Sequence, residues 1–118
     1  MQYLLLIYGN EGYWQNIGPE QQKMVGDYME FTKGITASGH YKGGNRLDST
    51  SKATTVRVRD GKKLITDGPF AETKEQLGGY YLVDAKDLDE AIGIAARIPG
   101  ARIGSIEVRP IVSVSRPS

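Results

Sequence analysis

Residues Met1–Tyr8 alternate without a polar face: Tyr3, Leu5 and Ile7 point one way, Leu4, Leu6 and Tyr8 the other. A strand apolar on both faces must be covered on both. A loop over Gly9–Gly18 follows and carries the chain's single tryptophan, Trp14. Pro19 then fits the first turn of a helix, where its missing N–H costs nothing. Met24, Tyr28, Phe31 and Ile35 recur at helical spacing, and Gly39 is a suitable stop. The spacing predicts a helix over about Pro19–Ser38.

Tyr41–Leu47 is a weak strand whose Gly43 and Gly44 predict a bulge or an irregular segment. Ala53–Arg59 alternates cleanly, Asp60-Gly61 is a hairpin turn signal, and Lys62–Thr66 is the return strand. A long connection, Asp67–Leu77, leads to a strand over Gly78–Asp84. Asp87 and Glu90 form a capping pattern for a second helix, with Leu88, Ala91, Ile92, Ala95 and Ile98 on one face and Pro99-Gly100 ending it. The last strand, Ser105–Val114, contains Pro110, which predicts an edge position or a bulge, and the residues after it are expected to fray. The plan is α+β: a ferredoxin-like βαββαβ antiparallel sheet with an inserted hairpin. Both helices fall on one sheet face. No helix remains for the other face of the first strand, and a second copy of the sheet is the simplest cover, which predicts a homodimer.

Composition narrows the chemistry. A chain of 118 residues is sized for one domain, 1–118. There is no cysteine and one histidine, His40, so disulfides, thiolate chemistry and a transition-metal site are not expected. No dinucleotide or phosphate-binding glycine motif occurs, and no cofactor is expected. The opening apolar run is too short to span a membrane, and a cytoplasmic protein is expected. Net charge is +1, so nucleic acid is not an expected partner. Charge is uneven, however. Tyr41–Lys63 holds seven basic residues (Lys42, Arg46, Lys52, Arg57, Arg59, Lys62 and Lys63) against Asp48 and Asp60. That run suits either a solvated hairpin or an anion-binding surface. His40, at a helix-to-strand junction, fits a surface or capping role.

The run DGPFAETKEQLGG is the least ordinary segment. Asp67-Gly68-Pro69 is turn chemistry. Yet Asp67, Glu72, Lys74 and Glu75 crowd a connection longer than a hairpin needs, and long loops on rigid scaffolds carry function. Asp67 suits a proton carrier or ligand anchor, with Glu72 and Lys74 beside it. Arg57 and Arg59 share one face of their strand, and Glu107 and Arg109 share one face of the last. On a cleft wall, Arg57 and Arg109 would favour a carboxylate or other planar anion.

The string DGPFAETKEQLGGYYLVDAKDLDEAIGIAARIPG resembles the DGPF branch of the YCII-related proteins, and SIEVRPI, ATTVRVRDGK and YLLLIYG fit it too. The resemblance implies a dimeric α+β barrel, in which two ferredoxin-like sheets face each other. Some YCII-related proteins carry a histidine on the first helix paired with an aspartate. Here Pro19–Ser38 has no histidine, Asp27 or Tyr28 falls near its place, and Asp67 matches the DGPF aspartate. Members of the branch are often encoded beside extracytoplasmic-function sigma factors. Two functions therefore stand open. One is a small polar or anionic ligand bound, or transformed, in a cleft beside Asp67–Leu77. The other is a regulatory protein-interaction module without catalysis.

Overall fold

The structure is a computed structural model and describes residues 1–113. Its elements are β1 (Gln2–Gly9), α1 (Pro19–Ala37), β2 (Tyr41–Arg46), β3 (Thr54–Arg59), β4 (Lys62–Asp67), β5 (Gln76–Asp84), α2 (Leu88–Arg97) and β6 (Ser105–Pro110), with 3₁₀ turns at Glu11–Trp14, Thr50–Lys52 and Pro99–Arg102. Four strands form one antiparallel sheet in the order β2-β5-β1-β6, the ferredoxin-like arrangement, and β3 and β4 form a separate hairpin. The double-faced strand β1 is therefore central, as its pattern demands. Pro110 ends edge strand β6, where no ladder N–H is lost. The expected extension of that strand stops short: Ile111–Ser113 are not strand, and Val114 lies outside the described residues, as do the terminal residues expected to fray.

Both helices cover one sheet face. Tyr3, Leu5 and Val83 from the sheet are buried with Ile35 of α1 and Ala91, Ile94, Ala95 and Ile98 of α2. The inward set of α2 corrects the sequence reading. Ile94 is buried, whereas Leu88 and Ile92 are each 49% exposed, because the core takes the stripe 91, 94, 95, 98 and leaves 88 and 92 on its flank. On the opposite sheet face Leu4, Leu6, Tyr80 and Leu82 stay partly exposed.

Local chemistry fixes the element ends. Gly18 N–H donates to Gln21 Oε1 at 3.0 Å at the start of α1, and Gly39 takes the positive φ that stops it. Asp60 and Gly61 both adopt positive φ, the two-residue turn that Asp-Gly favours. Asp87 accepts from Glu90 N–H at 2.9 Å to cap α2. Glu90 in turn accepts from Lys86 N–H and contacts His40 Nε2, both at 3.1 Å, while His40 Nδ1 lies 2.6 Å from Ser38 Oγ. His40 thus ties the end of α1 to the start of α2.

Two outcomes follow from this packing. A Cβ at Gly104 would collide with the Tyr8 backbone carbonyl, whereas one at Gly43 would meet nothing within 4 Å. Gly104→Ala should lower stability by about 2 kcal/mol or more, and Gly43→Ala should leave it nearly unchanged; denaturant melts of both variants check this. Several carboxyls are held below their ordinary range: Asp27 by Arg102 and Lys23, Asp48 by the Ser49 N–H and Lys52, Glu90 by the Lys86 N–H and His40. Because folding lowers these values, their contribution is complete above the unfolded carboxyl pKa of about 4 and is lost as pH falls through the folded ones. Tm should hold across neutral and weakly acidic pH and drop below about pH 4; a Tm that rose on acidification would contradict the pairing.

Candidate functional site

The register of the sheet explains why a cleft forms under α1. Tyr81 pairs with Leu5 and Gly44, and Gly79 pairs with Ile7 and Arg46. Leu5 is buried beneath the helices, so all of these positions face them. Gly44 and Gly79 therefore leave two positions of the helix-facing surface without side chains. They also let β2 and β5 lie close: a Cβ on either would come within 2.9 Å of a carbonyl oxygen of the other strand. The result is a cleft of about 610 Å³ between α1, the Glu11–Trp14 turn and the β2–β5 end of the sheet.

Each wall is held by specific bonds. Tyr28, projecting from α1, accepts from the buried Gly100 N–H at 3.1 Å, and burial pushes its phenol pKa up. The Thr32 and Tyr81 hydroxyls bond to each other at 2.7 Å, and burial raises the Tyr81 pKa as well. At neutral pH both are neutral hydroxyls. Gln21 Nε2 donates to the Tyr13 carbonyl at 3.0 Å, and Glu11 N–H donates to Gln76 Oε1 at 3.1 Å. These two bonds dock the Glu11–Trp14 turn at the mouth of the cleft. Among the described residues no hydrogen-bond partner reaches the buried Tyr13 hydroxyl, and burial with nearby Glu20 raises its pKa.

Charge enters the cleft through Arg46. Its guanidinium carbon sits 4.8 Å from the centre of the Trp14 ring, a cation–π stack. Among the described residues no carboxylate lies within ion-pair distance of it. Glu11 also lines the cleft, but its two carboxylate oxygens accept from Thr50 N–H at 2.7 Å and Thr50 Oγ1 at 2.8 Å. The arrangement offers an apolar, aromatic slot with the Arg46 guanidinium at its rim.

The residues singled out from sequence lie elsewhere. None of Asp67, Arg57, Glu72, Lys74 and Arg109 lines the cleft. Asp67 ends β4 opposite Thr54, with its side chain exposed. The DGPF corner is held by backbone instead: Gly68 N–H donates to the Ala53 carbonyl at 2.7 Å, and Thr55 Oγ1 donates to the Gly68 carbonyl at 2.8 Å. Gly68 has a φ of 94°, which explains the glycine after the aspartate. Glu72 and Lys74 are exposed in the connection Gly68–Glu75. Arg57 and Arg59 do share a face of the hairpin, and Arg109 pairs with Glu107 along β6. Asp27, near the place of the relatives' helical histidine, is engaged by Arg102 at 2.8 Å and Lys23 at 3.2 Å, while its neighbour Tyr28 enters the cleft. Among the described residues no three His, Cys, Asp or Glu side chains cluster as metal ligands, and no helix is long and apolar enough to cross a membrane.

Sequence reasoning missed Trp14, Arg46, Tyr28 and Tyr81 as a group. The available signals were a lone tryptophan just before a helix and glycines in two strands that pair.

Comparison with known proteins agrees with this architecture. A family model described as YCII-related domain matches residues 1–115. An uncharacterised protein of Rhizobium meliloti (strain 1021) is 37% identical over 116 residues, covering 94% of this chain and 92% of that protein. Among solved structures, the 5-chloro-2-hydroxyhydroquinone dehydrochlorinase TftG of Burkholderia phenoliruptrix AC1100, in complex with 2,5-dihydroxybenzoquinone, superposes with a TM-score of 0.56 at 13% identity, covering 95% of this chain and 94% of that one. That likeness is one of fold. The family match spans nearly the whole chain, and the protein belongs to the YCII-related domain family.

Proposed function

We propose that this protein binds a small planar anion, such as an aromatic carboxylate, a phenolate or a hydroxyquinone, in the cleft beneath α1. The observation that carries this reading is Arg46 stacked on Trp14, with no carboxylate partner among the described residues, at the rim of an aromatic slot. A volume of about 610 Å³ lies within the range of small-molecule sites. A flat ring would slide against Trp14, Tyr28 and Tyr81, and its charge would meet the guanidinium, whose fork suits carboxylate and enolate oxygens. The quinone complex of the structural neighbour lends support to this ligand class. Transformation of the ligand would need a proton carrier. The cleft supplies phenols with raised pKa values and a carboxylate, Glu11, already held by Thr50, so binding is the function proposed.

The protein is further proposed to work as a homodimer whose sheets face each other. Leu4, Leu6, Tyr80 and Leu82 form an apolar sheet face that its own chain leaves partly open. Light scattering at micromolar concentration should give about twice the chain mass of 12.9 kDa.

Trp14 is the only tryptophan, so its fluorescence reports directly on the cleft. Titration with 2,5-dihydroxybenzoquinone or benzoate, corrected for absorption by the ligand, should give a saturable change. Arg46→Met should weaken binding by about tenfold or more, the scale of a lost charge-assisted hydrogen bond. An unaltered affinity in Arg46→Met, or no saturable response to either anion, would contradict the assignment.

A further inference from the structure

The β3–β4 hairpin makes no strand pairing with the four-stranded sheet and supplies no residue to the core. Its two six-residue strands leave the body as an arm. The molecule measures 51 × 48 × 18 Å, so the arm extends sideways rather than standing up from the layers. Every residue of β4 is exposed. A lone two-stranded hairpin is marginally stable in water and needs something to pack on.

The two faces of the arm differ. Register places Val56, Val58 and Ile65 on one face, with Lys63 and Asp67 at its ends. These three apolar side chains are 57%, 62% and 60% exposed, and Phe70, just past the arm, is 79% exposed. The other face carries Arg57, Arg59 and Lys62 around Leu64. A single apolar face bounded by charge has the pattern of a contact surface.

Area argues for what occupies it. Four strands about 4.8 Å apart and some seven residues long present a face of roughly 450 Å². That is well short of the ~800 Å² each partner contributes to a standard interface. The arm adds roughly 200 Å² on its apolar side, which brings sheet and arm together near the required size. We propose that the arm reaches across to a second copy of this chain and packs its Val56–Val58–Ile65 face against that copy, so that the dimer rests on exchanged arms as well as facing sheets. This rests on the dimer reading given above.

The test compares the full-length chain with Val56→Asp combined with Ile65→Asp in sedimentation velocity across a dilution series. Both residues are exposed within their own chain, so the body should fold unchanged, as checked by circular dichroism. The wild-type chain should be a dimer, and the double variant should dissociate at concentrations about 100-fold higher or more, as expected for charging two central apolar contacts. Hydrogen exchange on the wild-type protein gives a second reading that needs no variant: arm amides should be protected in the dimer and lose protection on dilution. A wild-type dimer whose double variant associates equally well, or whose arm amides exchange as in an unfolded chain, would overturn the arm proposal and leave the dimer reading standing. A wild-type chain that stays a single copy throughout would overturn both.

Discussion

The central strand β1 is apolar on both faces, and its own chain fills only one of them. That asymmetry organises the molecule. On the filled side Tyr3 and Leu5 anchor both helices, which fixes α1 and α2 to one layer and β1 between β5 and β6. On the other side Leu4 and Leu6 stand with Tyr80 and Leu82 on a face that stays partly open. Burial of apolar area is the largest favourable contribution available to a domain of this size.

The cleft is a local exception to the close packing of the filled side. Where the sheet presents Leu5 and Val83 to the helices, the layers meet. Where it presents Gly44 and Gly79, they separate. The space is kept from collapsing by polar pairs rather than by bulk: Tyr28 to the Gly100 N–H, and Thr32 to Tyr81. Such pairs cost little when made and much when left half-made, which holds the walls at a fixed separation. The same register puts Arg46 on the helix-facing side of β2, where its exposed side chain stacks over Trp14 at the rim of the cleft.

Much of the architecture was legible in the sequence because it depends on short-range rules. The turn at Asp60-Gly61, the cap at Asp87, the bulge near Gly43 and the edge position of Pro110 each follow from one or two residues. Position 94 was missed because Ile92 and Ile94 are equally apolar, and only the angle at which α2 docks decides between them. The site was less legible for a different reason. It is built from Trp14, Tyr28, Arg46 and Tyr81, four residues on four elements, and no spacing along the chain links them. Arg46 was counted within the basic run Tyr41–Lys63, where nothing distinguished it from its neighbours. The charged connection after Asp67 drew attention by composition, yet in the folded chain it lies outside the cleft.

The central claim is that Arg46 and Trp14 hold a planar anion beneath α1. A crystal structure of the protein grown with 2,5-dihydroxybenzoquinone tests it most directly. The account predicts a flat ring in the cleft, against the faces of Trp14, Tyr28 or Tyr81, with an oxygen at hydrogen-bond distance from the Arg46 guanidinium. A ring bound instead along the Asp67–Glu75 segment, or a cleft holding only solvent at saturating ligand, would contradict it.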